Sequence, residues 1–194
     1  MLVRLGRFGC GDELGARLTP AQWMALRFFA QANQFSKTPS AFAWFHGTTR
    51  GTASQTIKSL VSAGFLKRHR AKSDGRRARL ELTAAGERVL KSDGLHALEE
   101  AIKELPLAGR HTLTQCVQEL TSQVANRRGA PEFGTCRDCL FFTVGGKKTG
   151  CPCYCEYAKV ALLADELDQL CVDYKPRTAV AEALARFRSP STTA

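Results

Sequence analysis

The sequence lacks any apolar run that approaches the roughly 20 residues a membrane-spanning helix needs. Its first residues, MLVRLGRFGCG, are interrupted too often by Arg and Gly to form the apolar core of a secretory signal peptide. The four histidines are scattered along the chain, and none has a candidate nucleophile as a partner. These absences argue against a membrane protein, a secreted protein and an enzyme. They predict a soluble, cytoplasmic protein without a catalytic site.

Acidic residues are also scarce. The chain has 28 Lys and Arg against 18 Asp and Glu, which gives a formal net charge of +10. Such a balance says little about fold, but it favours association with a polyanion. The imbalance is steepest between Arg50 and Arg79, where nine basic residues stand against Asp74 alone. Nucleic acid is therefore the first candidate partner.

Thr19 and Pro20 predict the start of an early helix. Its expected stripe packs beneath the two helices that follow and contains Trp23, Leu26, Arg27 and Ala30.

The stretch from Thr38 to Thr83 predicts a helix, a tight turn, a second helix and a basic hairpin. Thr38 is a natural cap for the first helix, and Gly47 ends it. Thr49 is then positioned to cap the second helix. Apolar residues recur along that helix at spacings of four, three and one, namely Ala53, Ile57, Leu60 and Val61. One face is thus expected to pack inward.

The opposite face of the second helix carries hydrogen-bonding side chains of the kinds that read base edges in a major groove. Together with the cap, they are Thr49, Arg50, Thr52, Ser54, Gln55 and Lys58. After Gly64 the apolar period changes to two, with Leu66, Leu80 and Leu82 on either side of a Ser73-Asp74-Gly75 turn. The helix pair and the hairpin, whose charged residues are almost all basic, together predict a DNA-binding module.

The run from Leu18 to Gly86 closely resembles the winged helix-turn-helix of the MarR family of bacterial transcription regulators. The matching stretches are RLTPAQWMALRFF, TPSAFAWFHGTTRGTASQTIKSLVSAGFLKR and SDGRRARLELTAAG. The resemblance implies a mainly α fold with a small β wing that binds double-stranded DNA. It also implies wing contacts to DNA through Arg70, Arg76 and Arg77, with Asp74 orienting an arginine. The sequence leaves open whether a small aromatic ligand binds, as in many members of that family.

The region after the wing predicts a homodimer. Thr83 is expected to cap a helix that is interrupted near Gly86 and Gly94 and continues to Pro106. A further helix is expected from about Ala108 to Arg127, with a narrow apolar stripe that a single winged domain cannot cover. The stripe contains Leu113, Cys116, Val117, Leu120 and Val124. Residues 1–17 are rich in Gly and predict at most a short helix, although the resembled family usually has a longer dimer helix there.

The break at Asn126 to Pro131 is a predicted hinge between two modules. We expect a DNA-binding and dimerisation domain over 1–130 and a cysteine-rich module over 131–188. That module includes a short amphipathic helix after Pro176, and residues 189–194 are expected to form a disordered tail.

Six of the eight cysteines lie close together in the second module. They are Cys136, Cys139, Cys151, Cys153, Cys155 and Cys171. In a reducing cytosol such a group predicts metal binding or redox chemistry rather than disulfides. The Cys136-x-x-Cys139 pair is common in zinc and iron–sulfur sites, and the turn at 144–147 leads the chain back toward further sulfur.

Residues 155 and 171 would lie roughly 24 Å apart at the ends of one straight helix. The possible cap at Asp165 predicts two short helices that fold back and return Cys171 to the site. The pattern resembles small four-cysteine modules, and this implies Cys136, Cys139, Cys155 and Cys171 as ligands. Cys153 and then Cys151 are alternates for the third place. An iron–sulfur cluster, zinc and a metal-free thiol switch all remain open.

The function predicted from these observations is that of a dimeric DNA-binding regulator whose cysteine site senses redox state or iron. An iron–sulfur electron-transfer protein with a basic docking face is an alternative. A regulator with purely structural zinc is another.

Overall fold

The computed structural model describes residues 18–70, 78–145 and 153–177. The chain divides into a first unit, Met1–Pro131, and a second unit, Glu132–Ala194. The short N-terminal helix, the wing tip, the helix after Pro176 and the C-terminal tail that the sequence predicts all lie outside the described residues. Where the chain is described, no helix is long and apolar enough to cross a membrane.

The described part of the first unit opens with three helices, and each is capped at its start by a threonine. Helix α1 spans Pro20–Gln31, α2 spans Pro39–His46 and α3 spans Arg50–Ser62. The hydroxyls of Thr19, Thr38 and Thr49 accept hydrogen bonds from the backbone three residues on, at 3.3, 3.2 and 3.1 Å. These bonds satisfy amide donors that a helix start leaves unpaired, so the helix starts predicted at these three residues are confirmed.

The core of the first unit is built around α1. The predicted inward position of Ala30 is wrong, because Ala30 is exposed, and Ala25, Phe28 and Phe29 are buried instead. The reason is that α1 packs against α2, α3 and the wing, so it buries a wider face than one i, i+3, i+4 stripe. Other buried members are Trp23, Leu26, Phe42, Ile57, Leu60, Leu66 and Leu80.

The wing is an antiparallel hairpin of β1, Leu66–Arg70, and β2, Ala78–Leu82. Leu66 pairs with Leu82 and Arg70 pairs with Ala78. The amide of Leu80 also donates to the carbonyl oxygen of Lys37 at 2.9 Å, which ties the wing to the loop before α2. The two predicted strands are confirmed, while the predicted turn at 73–75 lies outside the described residues.

Helix α4, Ala84–Leu90, starts at Thr83 as predicted, but Gly86 does not interrupt it. Gly86 is buried, and a Cβ at this position would stand 2.3 Å from the carbonyl oxygen of Phe65. The glycine is therefore explained by close backbone packing. The interruption predicted near Gly94 is confirmed, because the helix breaks at residues 91–94 and α5 then spans Leu95–Glu104.

Helix α6 spans Leu107–Arg128 and ends at Gly129, whose φ is +59°. The predicted hinge therefore begins too early, because residues 126–128 still belong to the helix. Neither α5 nor α6 buries a side chain fully in the single chain. The predicted apolar stripe is exposed, including Cys116, and Val117 and Leu120 are 52% and 55% exposed.

The second unit contains a three-stranded antiparallel sheet in the order β3-β4-β5. The strands are Phe142–Val144, Cys153–Cys155 and Val160–Ala161. The two helices predicted between Cys155 and Cys171 are wrong. Cys155 pairs with Val160 as neighbouring strands, so the backbone groups there bond across the sheet and not along a helix. A 3₁₀ turn, Ala164–Glu166, is the helical element that follows before Cys171.

Replacing Gly86 with Ala should destabilise the first unit by about 1–3 kcal/mol, because the new methyl group would overlap backbone rather than a movable side chain. Urea unfolding followed by circular dichroism would measure the loss. The matched control is Gly51→Ala in α3, where a Cβ would meet only the Thr49 hydroxyl at 3.8 Å. That change should be neutral or stabilising, so equal losses in both variants would contradict the packing argument.

Candidate DNA interface and cysteine site

The polar face of α3 is exposed along its whole length. Ala53, Ile57 and Leu60 are buried on the other side, so the helix cannot rotate without exposing its core face. The predicted DNA-contacting residues on this helix and at its cap are all exposed, namely Thr49, Arg50, Thr52, Ser54, Gln55 and Lys58. The structure therefore places these six side chains on one accessible surface.

Two local interactions hold this surface in place. The hydroxyls of Thr49 and Thr52 lie 3.0 Å apart, so one donates to the other at the start of α3. Near the other end of the helix, Nε2 of Gln22 donates to Oγ of Ser59 at 2.8 Å. The second contact links α3 to α1, and sequence reasoning did not anticipate it because the two residues are 37 positions apart.

The wing is less uniformly basic at its base than the sequence indicates. Glu81 lies 3.5 Å from Nζ of Lys67 and 3.0 Å from Nε2 of His69. Glu81 comes just after the Arg50 to Arg79 stretch, in which Asp74 is the one acidic residue. The strand register places Glu81 opposite Lys67. Of the predicted wing contacts, only the backbone of Arg70 is described, on β1. Asp74, Arg76 and Arg77 lie outside the described residues.

A cleft in the first unit lies between α1, the base of the wing and α4. Its lining combines apolar surface with two lysines and two glutamates. The lining residues are Phe29, Ala30, Lys37, Lys67, Glu81, Leu82, Glu87 and Leu90. Such a surface offers both apolar and polar contacts, but binding of a small aromatic ligand stays a prediction.

In the second unit, the thiols of Cys139, Cys155 and Cys171 all act electrostatically on Cys136. Burial first, and then electrostatic repulsion from the thiol groups of Cys171, Cys155 and Cys139, raises the pKa of Cys136 to about 12. Glu166 adds a further negative charge in the same direction. The four residues predicted as ligands therefore share one neighbourhood, although the helices predicted to bring them together are not formed.

Each of the four cysteines is positioned by a different part of the backbone. Cys136 begins a 3₁₀ turn, Cys136–Asp138, and the amide of Cys139 closes that turn by donating to the Cys136 carbonyl at 3.1 Å. Cys155 ends β4, opposite Phe142. The amide of Cys171 donates to the carbonyl oxygen of Gly134 at 2.9 Å. The convergence is thus a product of strand and bridge pairing.

Cys153 lies two residues before Cys155 on β4, and alternate residues of a strand point to the same face. Both thiols pack against the cluster of Cys136, Leu162 and Leu167. Cys153 therefore remains an alternate for the third place, while Cys151 lies outside the described residues. Over the ranges 18–70, 78–145 and 153–177, no three Cys, His, Asp or Glu side chains are already grouped closely enough to hold a metal ion. Charges act on one another over longer distances than the bond of about 2.3 Å between a thiolate and a metal. The cysteines can therefore affect the pKa of Cys136 without being placed around a common metal position.

The segment from Cys171 to Arg177 runs beside the Cys136–Cys139 turn. Pro176 forms a bridge with Cys139, and the amide of Leu140 donates to the Lys175 carbonyl at 2.8 Å. Arg177 donates to the carbonyl oxygens of Cys139 and Phe142, each at 3.1 Å. Arg177 was not predicted, because its role depends on a contact 38 residues away in sequence.

Two further contacts support the same region. The ring of Tyr174 packs so closely on Gly134 that a Cβ there would stand 2.6 Å from ring carbons. Arg137 forms a two-bond ion pair with Asp168, at 2.5 and 2.9 Å, and this holds the pKa of Asp168 below its usual value. The segment Cys171-x-x-Tyr174-x-Pro176 therefore contacts Gly134 through Cys171 and Tyr174, and Cys139 through Pro176.

Comparison with known proteins finds a match to one family model and likenesses to solved structures. Residues 18–77 match the model of the MarR family. The transcriptional regulator SlyA superposes with a TM-score of 0.52 at 19% identity, over 65% of this chain and 89% of that one. Streptococcus pneumoniae FabT in complex with DNA superposes with a TM-score of 0.50 at 18% identity, over 64% and 90%. These two likenesses show the fold. A comparison with curated protein sequences finds no match.

The raised pKa of Cys136 predicts how metal-free protein behaves at alkaline pH. An unfolded cysteine ionises near pH 8.5, so between about pH 9 and 12 the unfolded chain releases a proton that the folded chain keeps. Folding stability from this group should therefore be present below pH 8.5 and be lost as pH rises toward 12. The rate of alkylation of Cys136, followed by mass spectrometry, should still increase with pH above pH 10. A rate that levels off near pH 9, as expected for the same thiol in urea, would contradict the prediction.

Proposed function

Because residues 18–77 match the MarR family and the fold is that of a winged helix, we propose that this chain is a dimeric, sequence-specific DNA-binding transcription regulator. In this proposal the second unit holds an iron–sulfur cluster and senses redox or iron state. The observation that carries the DNA-binding part is the exposed polar face of α3 backed by a fully buried apolar face. The cluster rests on three neighbouring thiols, those of Cys139, Cys155 and Cys171, that act electrostatically on Cys136.

DNA binding follows from what the α3 surface offers. Arg50 and Gln55 are side-chain types that form paired hydrogen bonds with guanine and adenine edges. Thr49 and Thr52 lie at the start of the helix, where hydroxyls and backbone amides suit phosphate oxygens. The net charge of +10 adds attraction to any sequence. The related fold in FabT was itself solved in complex with DNA.

Dimerisation follows from the exposed stripe on α6. Leu113, Val117, Leu120 and Val124 are 38–55% exposed in the single chain. A contiguous apolar stripe at coiled-coil spacing favours burial against an identical helix. A second copy of this chain is the occupant we propose, because a two-fold dimer also presents two α3 helices to one face of DNA.

The thiol set suits a cationic group. Without a cation, burial first and then the neighbouring thiol groups of Cys171, Cys155 and Cys139 raise the pKa of Cys136, so its neutral form is favoured. A bound metal or cluster would reverse this preference, because its positive charge stabilises the thiolates. We propose Cys136, Cys139, Cys155 and Cys171 as ligands. An iron–sulfur cluster would accept and release an electron reversibly, or would be lost on oxidation. Zinc held by the same four cysteines would have a structural role.

Gln55→Ala should change the bases that the protein prefers, whereas Arg77→Ala should weaken binding to all sequences and lower its salt dependence. The reason is that base contacts specify sequence and phosphate contacts do not. The wild-type operator would first be selected from a random duplex pool, and Gln55→Ala should lose about 1–3 kcal/mol of discrimination at one base pair in each half-site.

The control for the DNA experiment is Gln31→Ala, which removes an exposed glutamine at the end of α1. It should leave both affinity and base preference unchanged. Equal affinity of the wild-type protein for the selected and scrambled duplexes would contradict the sequence-specific function.

Anaerobically purified protein should be brown, and replacing any one of the four proposed ligands with Ser should strip or destabilise the colour because a thiolate is lost. The control Cys116→Ser removes an exposed thiol on α6 and should leave the spectrum intact. Cys153→Ser tests the alternate third ligand. Loss of the cluster should change operator affinity by about 1–3 kcal/mol. A colourless protein with one tightly bound zinc, and with operator affinity indifferent to oxidant, would instead support structural zinc.

A further inference from the structure

A buried ion pair joins α1 to the short loop at residues 91–94. Nε of Arg27 donates to Oδ2 of Asp93 at 2.7 Å, and Nη2 donates to the other carboxylate oxygen. The two side chains are only 11% and 7% exposed. Such a two-bond fork fixes both the distance and the angle between its partners.

The same carboxylate also starts α5. Oδ1 of Asp93 accepts a hydrogen bond from the amide of Leu95 at 3.0 Å, and the carbonyl oxygen of Asp93 accepts one from His96 at 3.0 Å. The first turn of α5 is therefore attached to the residue that Arg27 holds. Any rotation of α5 about the loop must move Asp93 relative to α1.

Among the described residues, few other contacts fix the direction of α5 and α6; one is His96 of α5, whose Nε2 lies 3.2 Å from the carbonyl oxygen of Leu90 at the end of α4. Neither helix buries a side chain fully, whereas Ser92, Asp93 and Gly94 in the loop are all buried. The loop is thus the main point at which the helical extension, α5 and α6, is fastened to the winged domain. Arg27 contributes the charged contact at that point.

Helix α1 also contacts α3, near the start of α1. Gln22 donates to Ser59 of α3 at 2.8 Å, and the buried faces of α1 and α3 share one core. One rigid helix therefore touches both the DNA-reading surface and the start of the helical extension. Five residues, about 7.5 Å along the helix axis, separate Gln22 from Arg27.

We propose that Arg27 and Asp93 are positioning residues for DNA binding. They set the direction of the helical extension relative to α3, and thereby the spacing between the two α3 helices of the dimer. This inference rests on the proposed function, because it requires a dimer that binds two half-sites. Neither residue contacts DNA in this proposal, since both are buried.

A small change of angle would have a large effect at the DNA. Helix α6 has 22 residues, so it is about 33 Å long. A tilt of α6 by about 10° would move its far end by about 6 Å relative to its start, close to two base-pair steps of 3.4 Å. Half-sites one helical turn apart tolerate little such error.

The test compares affinity for duplexes that differ only in half-site spacing. A two-fold-symmetric site would be selected from a random duplex pool with the wild-type protein, and versions lengthened by one and two base pairs would be made. We expect the wild-type protein to bind the lengthened sites at least about tenfold more weakly than the selected site. The Asp93→Asn variant should lose most of this difference between sites. It should also bind the selected site about tenfold more weakly than wild type does. Circular dichroism would confirm that each variant is folded at the assay temperature.

The matched control is Glu100→Gln, which removes the exposed Glu100–Lys103 ion pair within α5 without touching the loop. It should discriminate spacing as wild type does. If Asp93→Asn does not fold, Arg27→Lys gives the same comparison, because it keeps the charge but loses the fork, and its discrimination should be intermediate.

The outcomes separate the inference from the function on which it rests. Folded Asp93→Asn or Arg27→Lys protein that discriminates spacing as strongly as wild type would overturn the positioning role and leave the regulator intact. Wild-type protein that sediments as a monomer, or that selects no symmetric site, would overturn the dimeric regulator itself.

Discussion

Burial of α1 on more than one side is the constraint on which the first unit depends. Trp23, Phe28 and Phe29 fill the space between α2, α3 and the wing, and together they remove a large apolar area from water. Because α1 is held on several sides, α3 can neither rotate nor slide without opening a cavity. The polar face of α3 is exposed as a consequence, and the same helix presents Arg27 to Asp93.

The second unit is organised differently, because it has few residues with which to build an apolar core. Its buried cluster contains Cys136, Leu162 and Leu167, with further cysteines packed beside them. Small units of this kind usually need a metal, a disulfide or a partner to reach useful stability. The raised pKa of Cys136 and the backbone turns held by Arg177 support the proposal that a bound group completes this unit. In that proposal, loss of the group would change the stability of the unit, and this change would carry the signal.

Local signals in the sequence were sufficient for the winged domain. Threonine caps, the Gly47 turn and the two-residue period of the wing each depend on neighbours within a few positions, so they are legible without a structure. The cysteine unit shows the opposite case. Four of its cysteines were assigned as ligands through a resemblance to small four-cysteine modules, and that assignment stays a prediction. The helices expected between Cys155 and Cys171 were wrong, because strand pairing at Val160 depends on distant partners.

The sequence by itself determined the helix boundaries at Thr19, Thr38 and Thr49, the polar surface of α3 and the identity of the clustered thiols. These properties depend on hydrogen bonds and periodicities within one or two turns of chain. Only the tertiary structure decided that Ala30 is exposed, that Gly86 lies against Phe65, that Glu81 offsets charge at the base of the wing and that Arg27 holds Asp93. Each of these depends on two segments that are far apart in sequence, and which side chains meet there is decided by how the elements pack.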